Sequence, residues 1–107
     1  MAVVVVPGHE PQGLRNQTLR EICARAREEL ADERDRYLVE EASAMHSLDF
    51  NLIEPGRRAR IARAVAGAIE EYRSELLEVA EPDELTTSRI PVLARLLDYL
   101  RIFLSSD

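Results

Sequence analysis

The sequence predicts an all-α fold: an antiparallel three-helix bundle with an extended N-terminal arm, completed by dimerisation. Three observations carry this expectation. Apolar residues recur at helical spacing through most of the chain. No strand pattern occurs beyond residue 6. The last helix is apolar around more of its circumference than a chain of 107 residues has elements to cover.

Residues 1–17 read as the arm and 18–107 as the helical domain. Ala2–Val6 is β-branched and apolar, which favours an extended backbone. Pro7 and Gly8 end it, and Pro11 and Gly13 keep the next stretch irregular. A lone strand cannot satisfy its own backbone groups, so the segment must lie over the helices or pair with a copy of itself.

The first helix is expected to start at Thr18, where Thr18-Leu19-Arg20-Glu21 matches a capping box. Leu19, Ile22, Cys23, Ala26, Leu30, Tyr37, Leu38, Ala42 and Met45 continue the apolar stripe. Charge pairs at i,i+4 (Glu21–Arg25, Asp32–Arg36, Arg36–Glu40) bridge the polar interruption. One long helix to about residue 47, bent near 32–36, follows. Ser47–Gly56 is a connection whose Leu48, Phe50, Leu52 and Ile53 fold inward.

The second helix is the clearest. Pro55 suits its first turn, and Ile61, Val65, Ala68, Ile69, Tyr72, Leu76 and Val79 repeat at helical spacing until Pro82 stops it. Gly67 in its middle costs about 1 kcal/mol relative to alanine, which close contact with another helix would offset. The third helix is expected to be capped by Thr87 or Ser88, with Pro91 in its first turn. From Val92 to Leu104 its polar residues Arg95, Asp98 and Arg101 fall within roughly 120°. Val92, Leu93, Leu96, Leu97, Leu100, Phe103 and Leu104 lie opposite and form the expected interface with a second copy or another protein.

Composition narrows the function. The net charge is −6, which argues against nucleic acid as a partner, because phosphate neutralisation needs a basic face. No apolar run reaches the ~18 residues needed to cross a bilayer, so no membrane partner is expected. One cysteine, Cys23, fits a reducing compartment, and a cytoplasmic location is expected. All 14 basic residues are arginine.

Four of them, Arg57, Arg58, Arg60 and Arg63, crowd the first turns of the second helix and oppose its dipole. They look outward for partners: acidic residues such as Glu28, Asp32 or Asp35, an acidic protein, or a bound anion. His9 and His46 lack the spacing of a metal motif, and Glu28-Glu29, Glu40-Glu41 and Glu70-Glu71 are adjacent pairs that point apart on a helix. No catalytic residue, metal ligand or cofactor is expected.

The expected function is therefore a protein–protein interaction module acting as a helical homodimer that also binds an unidentified protein, without catalysis. A small acidic inhibitor, such as an immunity protein, antitoxin or phage-encoded decoy, is the alternative. Its acidic run between Glu28 and Glu41 would mask a basic target. A second alternative is a helical enzyme or sensor gripping an anion through the four arginines.

Overall fold

The computed structural model describes residues 1–106. In chain order the elements are β1 (Ala2–Val5), β2 (Gln12–Leu14), α1 (Asn16–Glu29), α2 (Glu33–Met45), β3 (Ser47–Asp49), a 3-10 turn at Phe50–Leu52, α3 (Pro55–Leu77) and α4 (Glu84–Ser105). The chain is mostly helical, with four helices where three were expected and a three-stranded sheet in place of the arm.

The valine segment is the middle strand of that sheet. It pairs antiparallel with β2, Val3 opposite Gly13, and parallel with β3, Val4 opposite Leu48. Both sides of its backbone are thereby paired within one chain, with no need of a copy. The strand period of two sends Ala2, Val4 and Val6 into the core and leaves Val3 and Val5 half-buried. Gly8 makes the turn into β2 at φ +85, a conformation open to residues without a Cβ.

Helix α1 starts at Asn16, directly after β2, and its N-cap Arg15 offers no side-chain cap. The capping-box expectation at Thr18 fails because the sheet fixes where the chain enters the helix. Thr18 is buried inside α1, and its hydroxyl has no partner among the described residues. The long first helix is also two helices. Leu30 is extended (φ −99, ψ 127), and the Asp32 carboxylate caps α2 by accepting from the backbone N–H groups of Arg34 and Asp35. At the far end of α2, His46 adopts the left-handed region (φ 56) and turns the chain straight into β3. Its carbonyl accepts from Val3 N–H at 3.1 Å, which ties the reversal to the central strand.

Helix α3 forms as expected from Pro55, with Ile61, Val65, Ala68, Ile69 and Leu76 buried. Val79 falls beyond its end and is exposed. Helix α4 begins earlier than expected. Asp83 caps it by accepting from Thr86 N–H at 2.7 Å, so Thr87, Ser88 and Pro91 lie inside the helix.

The expected interface on α4 needs correcting. Leu93, Leu96, Leu97 and Leu100 are buried by their own chain, in one apolar cluster with Phe50, Leu19, Ile22, Ile61 and Ile69. Val92, Phe103 and Leu104 are partly buried against the same cluster. Helix α3 supplies most of that cover, and β2 with the loop before it adds to it. The His9 ring stacks on Tyr99 at 4.0 Å, and Arg95 Nη1 donates to the buried Gln12 Oε1 at 2.9 Å. Near the end of α4, Ile102 is left as a large exposed apolar side chain. No described helix is long and apolar enough to cross a membrane.

Candidate functional site

The arginines at the start of α3 turn inward. Arg57 Nη1 lies 2.8 Å from Asp32 Oδ1 and 3.0 Å from Asp35 Oδ1, and Arg60 Nε lies 2.9 Å from Asp35 Oδ2. Asp35 is almost fully buried, a carboxylate held between two guanidiniums that carry its charge into the interior. Hydrogen bonding to Asp35 raises both arginines, so each stays a cation. The Asp32 carboxyl is held below its ordinary range, first by the backbone N–H of Asp35 and then by Arg57. Arg58 instead donates to the Ile53 and Asn51 carbonyls, pinning the 3-10 turn to the first turn of α3. Of the four, Arg58 and Arg63 make no ion pair among the described residues, and Arg63, which is exposed, makes no side-chain hydrogen bond there either. The four arginines therefore do not converge on a shared anion position.

A second clamp joins α1 to α3 farther along. Arg25 reaches Glu21 at 2.8 Å, Glu71 at 2.8 Å and Glu75 at 2.8 Å, and its guanidinium sits 5.0 Å from the centre of the Tyr72 ring. The hydrogen bond between them raises Arg25 and lowers Glu75.

Between the two clamps lies an open groove of about 690 Å³. Leu30, Ala31, Ala64, Gly67 and Ala68 are its apolar lining. Glu28, Glu29, Asp32, Asp35 and Glu71 face it, against Arg25, Arg60 and Arg63. Most of these charges are already paired. Glu28 and Glu29 on the α1 wall and Arg63 on the α3 wall are not, among the described residues. Gly67 is not pressed by another helix, contrary to expectation: a Cβ built there meets nothing within 4 Å. Its missing side chain enlarges the groove instead.

The other singled-out residues lie elsewhere. Cys23 is buried in the core, and burial pushes its thiol up to about 12, which suppresses the reactive thiolate. His46 serves the reversal into β3 and His9 the contact with Tyr99. Glu40 pairs with Arg27, Glu41 accepts from Tyr37 Oη at 2.8 Å, and Glu70 meets Arg101 at 3.4 Å.

Sequence reasoning missed the groove and the burial of Asp35. One signal was available: Asp32 and Asp35, three residues apart, share a helix face at the point where the arginines of α3 lack acidic neighbours. No protein-family model matches this chain, and comparison with curated proteins and with solved structures found no match.

Proposed function

We propose that this domain is a protein-interaction module that masks a basic segment of another protein in the groove between α1 and α3. One observation carries the reading: an open groove lined mostly by charged side chains has Glu28 and Glu29, exposed and without an ion-pair partner among the described residues, along one wall. Exposed carboxylates with no partner among the described residues can meet incoming cations. The net charge of −6 speeds the approach of a positive partner. Of the groove's uncharged lining, Ala31 and Gly67 are exposed and leave a small floor for the bound segment.

The dimer reading loses the face that motivated it, since four of its leucines are core. The anion reading loses Arg57, Arg58 and Arg60, which are engaged within the chain.

Backbone-amide NMR with a hexa-arginine peptide at low salt tests the proposal. Shifts are expected at residues 25–35 and 60–71. They weaken with added salt and vanish in a Glu28→Arg, Glu29→Arg variant. Shifts spread evenly over the acidic surface, shifts that survive the double reversal, or none at millimolar peptide would refute it.

A further inference from the structure

We infer that the outer edge of β3 takes an extended segment of another protein as a fourth strand, with apolar side chains at alternate positions and Lys or Arg beside them. This site shares no lining residue with the groove between α1 and α3 and does not depend on the masking role.

Backbone chemistry names the kind of occupant. The strand order β2-β1-β3 leaves β3 at the rim of the sheet. Val3 N–H donates to the His46 carbonyl, and Val4 stands opposite Leu48. In a parallel ladder that phase turns the backbone of Leu48 toward β1 and the backbones of Ser47 and Asp49 away from it. Among the described residues, no backbone group of another element bonds the Ser47 N–H, the Ser47 carbonyl or the Asp49 N–H. Such a row is a template for a strand, which brings matching donors and acceptors. A helix has its own backbone groups paired and would leave these unmet.

The flank of that rim is apolar and open. A cleft of about 150 Å³ lies between β3, the 3-10 turn and the α2 face that carries Leu38, Glu41 and Met45. Ala42, Leu48 and Ile53 also line it but are already spent in the core. Leu52 and Met45 are not: they are 84% and 69% exposed, one from the turn and the other from α2. Every second side chain of an added strand stands on one face, about 7 Å apart. Apolar residues at those positions take Leu52 and Met45 out of water.

Charge separates a foreign strand from a second copy. Glu41 and Asp49 line the cleft, and no arginine does. Two copies joined rim to rim would set a second Glu41 and Asp49 against the first, four carboxylates without a cation. A strand bearing Lys or Arg meets the same carboxylates favourably.

The probe is an end-blocked peptide, Arg-Thr-Val-Thr-Val-Thr-Val-Arg, titrated into the full chain and followed by backbone-amide NMR. Shifts are expected at residues 45–53, and the Ser47 and Asp49 amides should gain protection from hydrogen exchange. Affinity should fall at least tenfold in Met45→Ser, Leu52→Ser, two exposed side chains that the core does not use. It should fall likewise in Glu41→Arg and recover when the peptide arginines are exchanged for glutamates. The peptide N-methylated at every threonine and valine should not bind, and the Glu28→Arg, Glu29→Arg variant should bind the unmodified peptide unchanged. Binding that survives N-methylation, or that leaves the Ser47 and Asp49 amides unprotected, would overturn the added strand. Shifts confined to residues 25–35 and 60–71 and abolished by the Glu28/Glu29 reversal would overturn this inference and leave the masking role standing. No shifts at millimolar peptide would overturn it too. A chain that scatters as a dimer and becomes monomeric in Met45→Ser, Leu52→Ser would give the rim to a second copy, against the inference.

Discussion

Asp35 Oδ2 accepts from Arg60 Nε at 2.9 Å, and the two residues differ sharply in exposure. The carboxylate side chain is 1% exposed and the guanidinium side chain 48%. Arg57, the second donor to Asp35, is 25% exposed.

This asymmetry predicts unequal costs of breaking the cluster. In Arg57→Ala, Arg60→Ala the buried Asp35 carboxylate loses both guanidinium partners, and the larger loss of stability is expected. In Asp35→Ala, Arg57 keeps Asp32 and Glu54 and the half-exposed Arg60 hydrates, so the smaller loss is expected. Urea denaturation of the two variants gives the order. Equal losses, or a larger loss for Asp35→Ala, would mean that water reaches the carboxylate.

Gly67→Ala should stabilise the domain by up to about 1 kcal/mol. The residue is mid-helix, and the added methyl meets open space. A rise in the urea midpoint with an unchanged slope is the expected reading. Destabilisation would show that the space above the glycine is filled in solution.

Acid should weaken the fold through three carboxylates. Asp32 is lowered first by the Asp35 N–H, Glu75 by the Arg25 side chain, and Asp83 by the Thr86 N–H. Each binds its proton more weakly folded than unfolded, so the unfolded chain takes up protons first as pH drops. The stability they contribute is present above the ordinary carboxylate range and is lost below about pH 4. Melting temperature should fall with pH there, and less steeply in Asp32→Asn, Glu75→Gln, Asp83→Asn. A profile unchanged by the triple substitution would assign the acid sensitivity to other groups.

Legibility in the sequence followed how local each signal was. Helix α3 was plain because Ile61, Val65, Ala68, Ile69, Tyr72 and Leu76 write one face without interruption. Strands β2 and β3 were invisible because three residues each cannot show a period. They exist through pairing with β1, a long-range fact. The surplus attributed to α4 came from underrating its own chain: α3 packs along it, and β2 with the loop before it covers what α3 leaves. The Asp32 cap was legible, an aspartate followed by Glu33 and Asp35 in a first turn, yet the flanking i,i+4 charge pairs argued for continuity and won. At the groove, the charges were legible individually. Which of them stayed unpaired depended on how α1 crosses α3.

The strand at the middle of the sheet precedes its parallel partner by more than forty residues. During translation, four consecutive valines therefore leave the ribosome with one flank unsatisfied until Asp49 has cleared the exit tunnel. For that interval the valine edge stays open to pairing with other chains, a hazard that ends only when β3 docks beside it.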